Sequence, residues 1–238
     1  MKKFAAVLLL VFLSSPAHAQ NQVDVDSYAN FDKYREANLK LGLPLENEPR
    51  VVFMGNSITE AWPCKSPEFF ENTGYIGRGI SGQVTHQMLL RFRADVIKLK
   101  PRAVVILAGT NDIARNSGFV TLESIAANIF SMAELADYHG IKVILCSVLP
   151  AIDYPWRPGL EPAQKIIELN EMLENYAAER HFEYVDYYSS MVDDKGGLKV
   201  PDFTSQDDLV HPNRNGYTVM EKLVTAAIDK ALKGEPRQ

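Results

Sequence analysis

The stretch RVVFMGNSITE at residues 50–60 decides the fold class of this chain. It begins with a short, mostly apolar run, continues with the small polar residues Gly55, Asn56 and Ser57, and then enters a helical pattern. An apolar run without polar alternation is typical of a strand in a parallel sheet whose two faces are both covered. Residues 50–60 therefore predict a strand, a sharp turn and a helix in direct succession, which is the building unit of α/β proteins.

The same alternation repeats on both sides of this stretch. Apolar runs rich in Val, Ile and aromatic residues predict strands at residues 50–54, 75–80, 103–108, 142–149 and 183–187. Apolar residues at helical spacing predict helices at residues 28–43, 84–99, 122–138, 162–178 and 213–232. This order predicts an α/β fold, a three-layer α/β/α sandwich around a five-stranded parallel sheet.

The N-terminus carries an export pattern. Two lysines and a nine-residue apolar run occupy residues 2–13, and the small-x-small sequence AHA follows at residues 17–19. Nine apolar residues are too short for a membrane anchor, because a spanning helix needs about 20. We therefore expect a signal peptide at residues 1–19, one domain at residues 20–238, and a periplasmic or secreted protein without membrane insertion after cleavage. Gln20 rather than Cys at the next position gives no indication of a lipid anchor.

Charge and cysteine content narrow the function classes. The formal net charge is −5 at pH 7, and no basic stripe is present, so we expect no nucleic-acid partner. Cys64 and Cys146 lack zinc-site spacing, and the acidic residues do not cluster as ligands, so we expect neither a metal nor another cofactor. Two buried thiols are the favoured interpretation, although export would permit a disulfide. The sequence does not indicate an oligomeric state.

Four segments place small polar residues at the ends of predicted elements: residues 55–60, 78–83, 109–112 and 207–213. Reactive groups of open parallel sheets collect at the carboxyl ends of the strands. Each segment also has a structural interpretation. Ser57 with Glu60 fits a capping box, the glycines and Asn111 fit turns, and His211 fits a surface histidine beside a solvated acidic pair.

Taken together, Ser, Gly, Asn and then Asp-x-x-His at four separate element ends argue against the separate structural interpretations. Ser57 follows a strand directly, so its hydroxyl is expected at the sheet edge, with its N–H at a helix N-terminus. Asp208 and His211 are three residues apart, so a short loop can bring a carboxylate to an imidazole that acts as a general base. Asn111 can donate a hydrogen bond to negative charge that develops on a substrate oxygen.

The four segments resemble the conserved blocks of the SGNH (GDSL-like) hydrolase family, most closely the branch resembling platelet-activating-factor acetylhydrolase catalytic subunits. This resemblance implies a flavodoxin-like SGNH hydrolase fold and a serine esterase without a metal. It implies Ser57 as nucleophile, His211 as base and Asp208 as its orienting acid. The implied oxyanion hole consists of the Ser57 N–H, the Gly79 N–H and the Asn111 side-chain amide.

Two positions depart from the family pattern. Asn56 stands where the family often has Asp, and Gly77 stands where the second block often begins with Asn. Neither change removes a catalytic group, and both concern residues at the floor of the pocket. Arg78, Gln83 and His86 belong to the second segment or follow it, and are further candidates to face the site.

The expected substrate is a small-molecule or glycan ester with a short acyl group, most readily acetyl. Tyr154, Trp156 and Arg157 follow the fourth predicted strand and can contact sugar rings and hydroxyls, with Trp62 as a second rim candidate. Their structural alternative is packing on the core. Competing functions are a sugar O-acetyltransferase, a lysophospholipase or thioesterase with a longer apolar groove, and a non-catalytic carbohydrate-binding module.

Overall fold

The computed structural model describes residues 24–45 and 48–233. The predicted signal peptide at residues 1–19 lies outside the described residues. Five strands form one sheet: β1 (Val51–Gly55), β2 (Tyr75–Gly79), β3 (Ala103–Leu107), β4 (Lys142–Cys146) and β5 (Glu183–Val185). All pairings are parallel, and the strand order is β2-β1-β3-β4-β5. The predicted α/β class and five-stranded parallel sheet are confirmed.

Ten α-helices surround the sheet in the described part of the chain. They are α1 (Val25–Ala29), α2 (Arg35–Leu41), α3 (Ser57–Lys65), α4 (Pro67–Phe70), α5 (Thr85–Asp95), α6 (Thr110–Ile113), α7 (Leu122–Tyr138), α8 (Pro162–Arg180), α9 (Tyr187–Met191) and α10 (Arg214–Lys233). A short 3₁₀ helix, Ile97–Leu99, follows α5. Where the sequence predicts one helix at residues 28–43, the structure has two, because Asn30 adopts a left-handed conformation (φ 55°) and ends α1.

Two hydrophobic cores lie on opposite faces of the sheet. On β1, Val52 and Met54 pack toward α5, α7 and α8, whereas Val51 and Phe53 pack toward α3 and α10. Successive strand residues point to opposite faces, so a strand covered on both sides needs apolar residues at every position. This explains the uninterrupted apolar runs from which the fold class was predicted.

The strand register brings the ends of the central strands to one level. Gly55, the last residue of β1, pairs with Gly79 on β2 and with Leu107 on β3. The segments that follow β1, β2 and β3 therefore start side by side at the same edge. Three of the four polar segments singled out in the sequence share this edge for that reason.

Cys64 and Cys146 are both free thiols, and only Cys146 is buried. The expectation of two buried thiols is therefore wrong for Cys64, which lies exposed near the end of α3. Within residues 24–45 and 48–233, the structure contains no helix long and apolar enough to cross a membrane.

Candidate active site

Ser57 is the first residue of α3, directly beyond the end of β1. Asn56 is the helix N-cap, and its side-chain oxygen accepts a hydrogen bond from the Ile58 N–H at 3.1 Å. The serine hydroxyl is therefore not needed for capping, and the capping-box interpretation of Ser57 does not apply. Its Oγ instead lies 2.9 Å from Nε2 of His211.

His211 and Asp208 are joined within one short loop before α10. Nδ1 of His211 lies 2.8 Å from Oδ1 of Asp208. The same carboxylate oxygen accepts the backbone N–H groups of Val210 at 3.2 Å and His211 at 2.8 Å. Leu209, between acid and histidine, adopts a left-handed conformation (φ 64°), which lets the chain fold back on the carboxylate. The loop thus fixes the acid and the imidazole in one local unit.

The electrostatics of this loop keep the acid ionised. Partial burial acts to raise the pKa of Asp208, but the hydrogen bonds from the backbone and ring of His211 outweigh it and hold the pKa below its ordinary value. Thr204 donates its hydroxyl to the His211 carbonyl at 2.8 Å and anchors the loop from the other side. A negative charge at Nδ1 stabilises the imidazolium that forms when Nε2 takes a proton.

Gly79 is explained by close packing at the end of β2. A Cβ at this position would lie 2.2 Å from the Glu60 nitrogen and 2.5 Å from the Asn56 carbonyl oxygen, so only glycine fits against the first turn of α3. Its carbonyl accepts a hydrogen bond from the Tyr34 hydroxyl. Since the N–H and carbonyl of a strand residue point to the same side, the Gly79 N–H also faces the outer edge of the sheet, away from Ser57.

The turn at residues 80–83 follows β2. An anion site needs an accessible backbone N–H without a hydrogen-bond partner, and this turn offers one. The Gln83 N–H donates to the Ile80 carbonyl at 3.2 Å, and Gly82 has φ 76°, as the third position of a type II turn requires. The space where a Gly82 Cβ would stand is open to 4 Å. In the described part of the chain, the Gly82 N–H makes no hydrogen bond. The sequence pattern does not separate Gly82 from Gly79, because the two glycines share one segment and only the turn geometry distinguishes them.

Asn111 lies in α6, directly beyond β3, and is buried. Its side-chain Nδ2 donates to the Gln83 carbonyl at 3.0 Å. An amide nitrogen carries two hydrogens, so this bond orients the group and leaves a second donor. The side chains of Arg78 and Gln83 are buried rather than facing the pocket, and His86 stacks on Tyr28.

Asp112, the neighbour of Asn111, ties α6 to the start of α5. Its carboxylate accepts the Thr85 N–H at 3.0 Å and the Thr85 hydroxyl at 2.6 Å. Burial raises the pKa of Asp112 to about 6, although the hydrogen bonds from Thr85 act in the opposite direction. The short helix that carries Asn111 is therefore held by a buried acid of raised pKa.

Trp156 forms a rim beside the histidine. Its ring centroid lies 6.4 Å from that of His211, and the residue is 45% exposed. The indole N–H donates to the Asn116 side-chain oxygen at 3.1 Å, and Arg157 donates to the Arg115 carbonyl at 2.5 Å. The loop after α6 is thus bound to the loop after β4. Nothing in the sequence pattern distinguishes Asn116 and Arg115 from ordinary loop residues.

Two predicted rim residues are corrected by the structure. Trp62 is 1% exposed and stacks on Phe69 with ring centroids 5.5 Å apart, so it belongs to the core beneath α3 and α10. Tyr154 is fully buried, with its hydroxyl 3.1 Å from Oγ1 of Thr110. Tyr154 supports the ring of Trp156 from below rather than contacting a ligand. In both cases the structural alternative, packing on the core, is what the structure shows.

The described residues hold no group of three or more His, Cys, Asp or Glu side chains close enough to bind a metal ion. The groups brought together at the sheet edge are a serine, an imidazole, a carboxylate and amide donors. This set can activate a hydroxyl group and stabilise an oxyanion.

The sequence and the fold of this chain are both similar to those of known proteins. The sequence model of the family described as GDSL-like lipase/acylhydrolase matches residues 53–219. A GDSL-like lipase of Bacteroides thetaiotaomicron VPI-5482 is 50% identical with a TM-score of 0.82, over 86% of this chain and 99% of that chain. A proposed acylhydrolase of Bacteroides fragilis NCTC 9343 is also 50% identical with a TM-score of 0.84, over 87% of this chain and 99% of that chain.

More distant proteins share the architecture. A mutant of Axe2, an acetylxylan esterase from Geobacillus stearothermophilus, is 18% identical with a TM-score of 0.63, over 77% of this chain and 95% of that chain. At that identity the likeness concerns the fold alone. In sequence, the chain is 27% identical to the uncharacterised lipoprotein YqeF of Bacillus subtilis (strain 168), with 92% of both chains covered.

Proposed function

The chain belongs to the GDSL-like lipase/acylhydrolase family and is an ester hydrolase, and we propose that Ser57 is its nucleophile, His211 its general base and Asp208 the acid that orients the base. The observation that carries this proposal is the continuous contact from Ser57 Oγ to His211 Nε2 at 2.9 Å and from His211 Nδ1 to Asp208 at 2.8 Å. Three groups in this order are what serine hydrolysis requires.

The reaction proceeds in two halves. His211 takes the proton of the Ser57 hydroxyl as Oγ attacks the ester carbonyl, and the carbonyl oxygen becomes negative. When the C–O bond to the alcohol breaks, His211 returns the proton to the leaving oxygen, and an acyl-enzyme remains. Water then attacks the acyl-enzyme by the same steps and releases the carboxylic acid.

The donors that we assign to the oxyanion are the Ser57 N–H, the Gly82 N–H and the Asn111 side-chain amide. Gly82 replaces Gly79, whose N–H faces the outer edge of the sheet. Support for Gly82 comes from its open surroundings and from the shared turn, since the Gln83 carbonyl in that turn holds Nδ2 of Asn111 at 3.0 Å. Preorganised donors of this kind are usually the largest single contribution to acyl-transfer catalysis.

We further propose a short acyl group, most readily acetyl, on a carbohydrate alcohol. The exposed indole of Trp156 beside His211 supports a sugar-binding rim, because aromatic faces pack on sugar rings. An acetylxylan esterase among the structures of similar fold is in keeping with this substrate class. Export is also proposed, from the N-terminal pattern and from a relative named as a lipoprotein.

The test is hydrolysis of p-nitrophenyl esters from acetate to octanoate, and of acetylated xylan, by the wild type and by Ser57→Ala. We expect activity on short chains only, with kcat reduced by roughly 10⁶-fold in the variant. Equal activity of both proteins would favour a non-catalytic carbohydrate-binding module. A preference for octanoate would favour a lysophospholipase or thioesterase, and acetyl transfer to added sugar in place of water would favour an O-acetyltransferase.

A further inference from the structure

The N-terminal arm, residues 24–42, lies outside the segment that matches the family, which begins at residue 53. It contains α1 and α2; α1 packs against the start of α5, and Tyr34 contacts Gly79 at the end of β2. Its polar contacts converge on the turn at residues 80–83, which carries the proposed oxyanion donor Gly82. An element outside the family segment thus reaches into the most geometry-sensitive part of the site.

The first contact fixes the residue before the turn. The Tyr34 hydroxyl donates to the Gly79 carbonyl, and the guanidinium carbon of Arg78 lies 4.7 Å from the centre of the Tyr34 ring. Burial, followed by the nearby charge of Glu60, raises the pKa of Tyr34 to about 12. The hydroxyl therefore stays protonated, and remains a hydrogen-bond donor, at any pH at which an esterase works.

The second contact acts through the helix that carries the nucleophile. Glu60, in the first turn of α3, accepts the Ser81 N–H at 2.7 Å. Lys33 of the arm lies 2.6 Å from the other carboxylate oxygen of Glu60. The glutamate therefore joins the nucleophile helix to the turn, and the arm's lysine holds the glutamate in the rotamer that does so.

The third contact is made by Gln83, the last residue of the turn. Its side-chain Nε2 donates to the Ala29 carbonyl of the arm at 2.9 Å, and its Oε1 accepts from Arg91 at 2.6 Å. The backbone carbonyl of the same residue holds Asn111. Residues 79, 81 and 83 are therefore each anchored, and Gly82 lies between the last two anchors.

We propose that the N-terminal arm positions the turn at residues 80–83 for catalysis, with Tyr34 and Lys33 as its positioning residues. This rests on the proposed function, since it concerns the oxyanion donors of that reaction. A displaced donor loses part of its effect on the transition state and little of its effect on substrate binding. Loosening the arm should therefore lower kcat rather than raise KM.

The experiment compares Tyr34→Phe, Lys33→Met and the double variant with the full-length wild type. Both substitutions keep the apolar part of the side chain, so the ring of residue 34 stays under Arg78. The matched controls are Tyr138→Phe, whose parent residue is 86% exposed, and Lys40→Met, whose parent residue is exposed on α2. The readouts are kcat and KM for p-nitrophenyl acetate, the melting temperature, and hydrogen exchange of a peptide spanning residues 76–83.

We expect each single variant to lower kcat about 5- to 10-fold and the double variant by more than about 10-fold, with KM within about twofold of wild type. Hydrogen exchange at residues 76–83 should rise in the same order, while the controls match the wild type. Unchanged kcat in both single variants would overturn the positioning role. So would a loss of kcat that the controls share, or one that only follows a lowered melting temperature.

The wild type and Ser57→Ala are measured alongside. A wild type that is active only through Ser57, combined with unaffected arm variants, overturns the positioning role alone. A wild type no more active than Ser57→Ala overturns this proposal together with the proposed function.

Discussion

The two sides of the candidate site are built in different ways. The acid–base side is local, because Asp208 and His211 lie three residues apart and one carboxylate oxygen accepts three hydrogen bonds from within the loop. The proposed oxyanion side is assembled from distant parts of the chain. The turn at residues 80–83 is held by the N-terminal arm, by Glu60 on α3, by Arg91 on α5 and by Asn111 on α6.

Solvent exposure follows the same division. The side chains of Asp208 and His211 are 38% and 35% exposed, whereas Asn111, Asp112 and Gln83 are almost fully buried. The loop of Asp208 and His211 keeps its geometry when exposed to water, because backbone hydrogen bonds within the loop fix it. Donors that come from several separate elements keep their relative positions only through a buried hydrogen-bond network. The two sides should therefore respond differently to substitution.

The largest expected effect is on the acid–base side. His211→Ala removes the imidazole that bonds both Ser57 and Asp208, and we expect kcat for p-nitrophenyl acetate to fall by roughly 10⁶-fold. The folded structure should persist, because the loop's backbone bonds to Asp208 do not depend on the imidazole. Thermal melting checks this point. A variant that keeps more than about one hundredth of wild-type kcat would show that another group acts as base.

The next effect is on the oxyanion side. Asn111→Ala should lower kcat by about 100- to 1000-fold and leave KM nearly unchanged, since the donor matters most when the oxygen is negative. Asn175→Ala, on the exposed face of α8, is the matched control. Full activity of Asn111→Ala in steady-state assays would remove this residue from the oxyanion hole.

The smallest effect concerns stability. The folded pKa of Asp112, about 6, lies above its unfolded value, so the protonated acid favours the folded state below pH ~4. That contribution is lost as the pH rises through about 6 and the buried carboxyl ionises. The wild type should therefore lose up to about 3 kcal/mol relative to Asp112→Asn between pH ~4 and pH ~7.

Urea unfolding of both proteins across this pH range measures the difference. Asp194→Asn, at an exposed position, should show no such slope and serves as the control. Parallel curves for the wild type and Asp112→Asn would mean that burial does not govern the protonation of this acid.

The fold was largely predictable from the sequence because its signal is periodic. Residues 122–138 were predicted as a helix and α7 has those bounds, and all five predicted strands are present. The strand ends were placed less well. The fifth run was predicted to reach residue 187, whereas β5 ends at Val185 and Tyr187 begins α9. Apolar character alone does not mark where a buried strand gives way to a buried helix.

Trp62 shows where prediction of the rim fails. Five residues from Ser57 in sequence, its ring lies on the core side of α3, among Phe53, Phe69 and Tyr217. The number of residues between two positions gives their separation along the helix. Which of them faces the site depends on how the helix is oriented over the sheet. Trp156 was predicted from its place in the loop after the fourth strand, at the edge where the motifs gather, and it does lie beside His211.

By itself the sequence determined the strand–helix alternation, the edge at which polar residues gather, and the pairing of Asp208 with His211. These depend on periodicity and on contacts within a few residues. Only the tertiary structure gave Gly79 and Gly82 different surroundings. It also placed Tyr154 and Trp62 in the core and brought the N-terminal arm to the turn at residues 80–83. Those outcomes depend on packing between segments far apart in the chain, and a single sequence does not encode such contacts in any local pattern.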